Sequence, residues 1–170
     1  GRWGLEILNG DSQWRAASWW KVLHATLLYP LTPRQALLRL MDRPTALDRW
    51  DSLLARRHVV GLAGTDAHGI TRYDASFAIA QNYVLLERPL SGRASEDIES
   101  ILTAIEHGRV YVGLGELAPA HKFYFVAERG PERYTMGDSA ASGTPLRLRA
   151  GGALPARVSM RLYRDGVHVR

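Results

Sequence analysis

Apolar and polar positions fall into three regimes along this chain. The first is a short apolar run, Leu5-Glu6-Ile7-Leu8, closed by Asn9-Gly10-Asp11. It predicts a buried strand that ends in a turn. A lone strand needs pairing partners, and the next fifty residues read as helical. Residues 12–29 predict one helix with Ser12 as its cap and Ala16, Trp20, Leu23 and Leu27 on its buried face. Pro30 stops it, and Thr32-Pro33 opens a second helix carrying Leu37, Leu38, Leu40 and Met41. A third helix follows Pro44, with Leu47, Trp50 and Leu54 on one side.

The second regime is α/β. His58-Val59-Val60-Gly61-Leu62-Ala63-Gly64 is short, apolar and broken by glycine, as expected for a strand of a parallel sheet buried on both faces. A further strand is expected at Tyr83–Leu86. Residues 95–108 predict an amphipathic helix capped by Ser95, with Ile98, Ile101, Leu102 and Ile105 inward and Gly108 at its end. The third regime begins near residue 110. Val110–Val112, Phe123–Val126, Leu146–Arg149 and Val158–Tyr163 are short β-rich runs separated by turns, Glu128-Arg129-Gly130-Pro131 and Asp165-Gly166 among them. The last pair is a hairpin signal, and the spacing predicts an antiparallel, sandwich-like tail with no long helix after Phe123. A boundary is placed between residues 113 and 122.

Composition narrows the function classes. A chain of 170 residues can bury one good core, or one core and a small appended module. The most apolar segment, Trp19 to Leu31, is interrupted by Lys21, His24 and Pro30, so no membrane span is expected. No signal peptide is visible in the sequence. With no cysteine, disulfides, thiolate metal sites and cysteine nucleophiles are excluded. The lack suits cytoplasm and periplasm equally. The net charge of +5 comes from 22 basic and 17 acidic residues. It is spread evenly: residues 1–85 hold ten basic and seven acidic groups, residues 86–170 twelve and ten. A nucleic-acid surface would concentrate that charge, so nucleic acid is an unfavoured partner.

The sharpest chemical feature is Asp66-x-His68 after the glycine-rich strand. In extended backbone, positions i and i+2 point the same way, so a carboxylate and an imidazole are aimed at one point. Both are ligands for Zn, Mn or Fe, and sites of α/β folds form at strand carboxyl ends. The competing reading is a helix-capping Asp beside a surface His. Glu6 and Asn9 flank the end of the first strand, where a turn Asn and a salt-bridged Glu would serve as well. His24, inside a helix, reads as a core or boundary histidine, and His58 precedes its strand at the end opposite Asp66. His107 sits at a helix C-terminus, where a cation is favoured. His121 and His168, in the β-rich tail, have no partner at ligand spacing.

Taken in order, Glu6-Ile7-Leu8-Asn9-Gly10-Asp11, Trp50-Asp51-x-Leu53-Leu54 and Val60 to Gly69 through Gly64-Thr65-Asp66-Ala67-His68-Gly69 resemble the PHP (polymerase and histidinol phosphatase) metal-dependent phosphoesterase superfamily, its CehA/McbA-like branch above all. Ala104-Ile105-Glu106-His107-Gly108-Arg109-Val110-Tyr111-Val112, Phe123 to Ala127, Met136-Gly137-Asp138 and Arg161 to Gly166 extend the resemblance through the tail. It implies a distorted seven-stranded (β/α) barrel at residues 1–115 and an appended, incomplete β-rich domain at 116–170. It also implies divalent metal ions that activate a water against a small phosphoester. Asp66 and His68 match the last metal motif of such a barrel. Glu6 and Asn9 match a strand end that lines the same site.

The chain departs from that pattern in lacking any His-x-His, the family's first metal motif. By this comparison it is the C-terminal part of a barrel, and an upstream barrel segment of the same protein is an implied partner. Two ligands cannot build a multinuclear centre, so this piece alone is expected to be inactive. The alternative is a non-catalytic binding or structural module whose β-rich tail contacts carbohydrate, polymer or a partner domain.

Overall fold

A computed structural model describes residues 3–69, 71–118, 120–143, 145–154 and 157–169. Helices and strands are mixed. Strand β1 (Trp3–Asn9) pairs in parallel with β2 (Val59–Gly64), and the four helices between them form the crossover: α1 (Gly10–Ala16), α2 (Trp19–Leu28), α3 (Pro33–Leu38) and α4 (Ala46–Leu54). After β2 come α5 (Tyr73–Phe77), β3 (Gln81–Val84), α6 (Ala94–Glu106) and β4 (Val110–Gly113). β3 and β4 are antiparallel.

The predicted helix over 12–29 is two helices. Asn9, not Ser12, is the first cap: its side-chain oxygen accepts the Ser12 backbone N–H at 2.8 Å. Ala17 and Ser18 are extended, and α2 restarts after Ser18. The predicted buried face is also corrected. Trp20 is 56% exposed and Leu27 68%, with Leu23 exposed as well. The side that packs inward carries Ala25, which joins Ala36, Leu37, Leu40, Ala75 and Ile79 in a core built from α2, α3, the turn after α3, α5 and the turn after α5. Small residues let these helices approach closely, and the large apolar side chains are left facing out. Thr32 and Pro33 open α3 as expected. α4 is tied to the start of β2 by Trp50 Nε1, which donates to the Val59 carbonyl at 2.8 Å.

β2 is buried along its first half, in line with its apolar run. Its neighbour on one side is β1, and the Asn82 side chain pairs with it on the other. Asn82 donates to the Ala63 carbonyl and accepts the Ala63 N–H, both at 2.8 Å, in the manner of one more strand residue. The outer edge of β1 has no strand partner among the described residues.

α6 starts at Ala94, one residue before the predicted cap. The inward side is Ile101, Ala104 and Ile105, while Ile98 and Leu102 are more than half exposed. Ahead of the helix, Asp97 folds back on the 91–92 turn. It accepts the Ser91 N–H (2.7 Å), the Ser91 hydroxyl (3.0 Å) and the Gly92 N–H (3.0 Å). The Ser91 backbone bond, above all, lowers the Asp97 carboxyl below its ordinary value. A depressed carboxyl contributes stability above the unfolded value, about 3.9. That contribution is lost as pH falls through the lower folded value. The expected outcome is that the Ser91 and Gly92 amide resonances move together with Asp97 in an NMR pH titration, with a midpoint below 3.9. A midpoint at or above the ordinary value would exclude the turn.

The regular structure of the tail is short strands, with no helix among its described residues. β5 (Tyr124–Arg129) is central between β6 (Glu132–Tyr134) and β7 (Arg147–Gly151), all antiparallel. β8 (Leu162–Arg164) and β9 (Val167–Val169) form a separate hairpin. Asp165 (φ +51°) and Gly166 (φ +75°) are both left-handed, as a two-residue primed turn requires. The strand expected over Val158–Tyr163 is thus confined to its last two residues plus Arg164. The three-stranded sheet and the hairpin are not hydrogen-bonded to each other among the described residues.

Candidate functional site

The carboxyl ends of β1 and β2 lie side by side, with Asn9 in register with Gly64. β1 would normally send Glu6 and Asn9, three residues apart, to opposite faces. The register slips between Glu6 and Leu8, and Ile7 is left unpaired. This bulge brings the two side chains to the same side. Asn9 Nδ2 then donates to Glu6 Oε2 at 2.9 Å and, at 3.4 Å, to Asp66 Oδ2.

Asp66 follows β2 in a left-handed conformation, φ +49°, so the loop is not the extended Asp-x-His expected. Asp is among the few non-glycine residues that take this conformation at modest cost. The turn still brings the two side chains together. His68 Nε2 lies 3.4 Å from Asp66 Oδ1. All four residues expected at the site therefore meet in one chain of contacts, Glu6–Asn9–Asp66–His68.

Two glycines make room for it. A Cβ on Gly10 would come within 2.6 Å of the Thr65 carbonyl oxygen, so the end of β1 and the Asp66 loop touch backbone to backbone. A Cβ on Gly64 would overlap Glu6 Oε1, whose carboxylate lies across it. Arg15, one helical turn beyond Asp11, borders the cluster. Its guanidinium bonds Asp11 at 2.5 Å, the main cause of an upward shift in its pKa, with Asp66 adding to the field. Sequence reading passed over Arg15, since nothing in an i, i+4 Asp–Arg pair marks it out.

The cluster is open to solvent: the Asp66 and His68 side chains are 47% and 56% exposed. Two ligand atoms of one tetrahedral zinc, each about 2.0–2.1 Å from the ion, lie about 3.3 Å apart. The Asp66–His68 spacing fits such an edge. Asn9 does not fit as a third ligand, because its oxygen is committed to α1 and its amide nitrogen faces two carboxylates. Among the described residues no group of three His, Asp or Glu could by itself hold a metal ion. Asp66 and His68 offer two donor atoms, a carboxylate oxygen and an imidazole nitrogen.

His58 lies at the other end of β2, with its ring against Gly108. It lines a separate cleft of about 690 Å³ with Trp50, Tyr111, Phe125, Tyr134 and Met136. No helix among the described residues is long and apolar enough to cross a membrane. Comparison of the chain with family models, with curated proteins and with solved structures finds no match.

Proposed function

We propose that this chain is part of a metal-dependent hydrolase, a phosphoesterase, in which Asp66 and His68 hold a divalent ion. The observation that carries the reading is the convergence of Glu6, Asn9, Asp66 and His68 at the carboxyl ends of two parallel strands. Asp66 and His68 supply a carboxylate oxygen and an imidazole nitrogen, which suit Zn, Mn or Fe. When bound, the ion supplies an activated water and neutralises charge on the substrate's phosphoryl group. Arg15, whose charge is felt at Asp66, would favour an anionic substrate.

The remaining ligands come from an upstream barrel segment of the same protein. Among the described residues the outer edge of β1 has no strand partner, and parallel sheets are ordinarily larger and covered on both faces. α2, for its part, exposes Trp19, Trp20, Val22, Leu23 and Leu27. Further strands and helices of a PHP barrel, with residues 1–115 its last part and 116–170 an appended β-rich domain, would cover both.

The test is hydrolysis of bis(p-nitrophenyl) phosphate and p-nitrophenyl phosphate by the protein with its barrel complete, before and after treatment with a chelator. Turnover is expected to vanish with the metal and return with added Zn, Mn or Fe; the 170 residues alone are expected to show none. Turnover that survives chelation would sink the metal reading. The second reading, a binding module, draws on the aromatic-lined cleft between β2, β4 and β5. It predicts saturable binding of an apolar or carbohydrate ligand that a chelator leaves untouched.

A further inference from the structure

The geometry points to Asn9 as the positioning residue of this site: one carboxamide sets the orientation of Asp66 and Glu6 while its oxygen fixes the first turn of α1. This inference rests on the metal reading of Asp66 and His68 and adds to it a group that touches no metal.

A carboxamide has two N–H donors and one carbonyl acceptor. At Asn9 all three functions have partners in reach. The oxygen accepts the Ser12 N–H at 2.8 Å, and the nitrogen faces Glu6 Oε2 at 2.9 Å and Asp66 Oδ2 at 3.4 Å. The capping bond settles the orientation of the amide, since only the oxygen can accept from a backbone N–H. The NH₂ must therefore face the carboxylates. Two like charges brought this close repel each other unless a donor stands between them. Asn9 is that donor.

The contact also decides which oxygen of Asp66 is free. Oδ2 is the one near Asn9, and Oδ1 is the one 3.4 Å from His68 Nε2. Rotation of the carboxylate would exchange these roles, and the amide opposes it. Asp66 lies in a loop, on a left-handed residue and half exposed, so its own backbone provides little restraint on the side chain. Asn9 is anchored at both ends: its backbone pairs in register with Gly64, and its side chain caps a helix. A residue fixed at both ends therefore orients a side chain on a loop, as partners outside the coordination sphere do in metal sites.

The experiment measures zinc affinity on the protein, with Zn²⁺ as the probe and calorimetry or the His68 ring resonances as the readout. Asn9→Ser keeps a capping oxygen and removes the amide. It is expected to weaken zinc binding about tenfold while helix content and melting temperature stay near wild type. Asn9→Thr is the second variant should the serine protein not fold. The decisive readout is the same substitution made on Asp66→Ala, where it is expected to change zinc affinity no further. Zinc binding within twofold of wild type in Asn9→Ser, or an equal loss with and without Asp66, overturns the positioning role. Zinc binding that is indifferent to both His68→Ala and Asp66→Ala rejects the underlying metal reading, and the role of Asn9 with it. Loss on His68→Ala but none on Asn9→Ser rejects the Asn9 proposal alone.

Discussion

Replacement of His68 by alanine is expected to reduce phosphoester hydrolysis by more than about 100-fold in the protein with a complete barrel, with bound metal lost in parallel. The imidazole would be one of few protein bonds to an ion that generates the nucleophile. Without it the ion shifts or leaves, and the water it acidified returns toward its free pKa. The fold should hardly notice. His68 is 56% exposed and its charge partner Asp66 47% exposed, so their pairing is a surface interaction. Such pairs contribute about 0–1 kcal/mol, and a surface substitution of this kind is worth about 0.5 kcal/mol.

The competing account of the same 3.4 Å contact is an ordinary Asp–His ion pair on a loop. That account predicts unchanged turnover and metal content in His68→Ala. Metal analysis, turnover and circular dichroism on one sample separate the cases. Full activity with metal retained rejects the ligand assignment. Loss of activity with metal retained would move His68 to acid–base work instead.

How the site is assembled was only partly legible in the sequence. The spacing of Asp66 and His68 after an apolar glycine-rich run led to their convergence, but through an argument that the backbone does not follow. Alternation along a strand was the expected cause, whereas a left-handed Asp66 is the actual one. The gathering of Glu6 and Asn9 depends on a bulge at Ile7, and nothing in Leu5-Glu6-Ile7-Leu8-Asn9 announces one. Register is set by the partner strand, which lies far along the chain: Glu6 pairs with Leu62 and Asn9 with Gly64. The elements themselves were more legible: the parallel strand at 59–64, the helices after Pro33 and Pro44, and the Asp165-Gly166 hairpin all follow local rules. The facing of α2 was not. Trp19, Trp20, Val22, Leu23, Ala25, Leu27 and Leu28 surround most of the helix with apolar groups, so periodicity cannot select a side. Packing selected the alanine side, against Ala36 and Ala75.

The second large effect is expected at Gly137, far along the chain from the candidate site. Replacement by alanine should lower stability by about 2–4 kcal/mol, and the melting temperature by about 10 °C. Gly137 is left-handed, φ +87°, and a Cβ there would overlap the His107 carbonyl oxygen and come within 2.8 Å of the Gly108 carbonyl carbon. Gly108 is itself the left-handed residue that ends α6, φ +76°, with its N–H on the Ile105 carbonyl. Two backbones are thus in contact, and neither has a flexible side chain that could yield. Alongside, Asp138 lies 3.7 Å from Arg109, which also pairs with Glu87. The 135–138 turn is in this way fastened to the end of α6 and the start of β4. Gly143 provides the control: its φ is +90°, but a Cβ there would meet nothing within 4 Å. Gly143→Ala therefore carries only the cost of a left-handed alanine, about 1–2 kcal/mol. Thermal unfolding of the two variants, compared with wild type, isolates the contact from the conformation. Equal melting temperatures for Gly137→Ala and Gly143→Ala would mean that the tail does not dock on α6 through this turn.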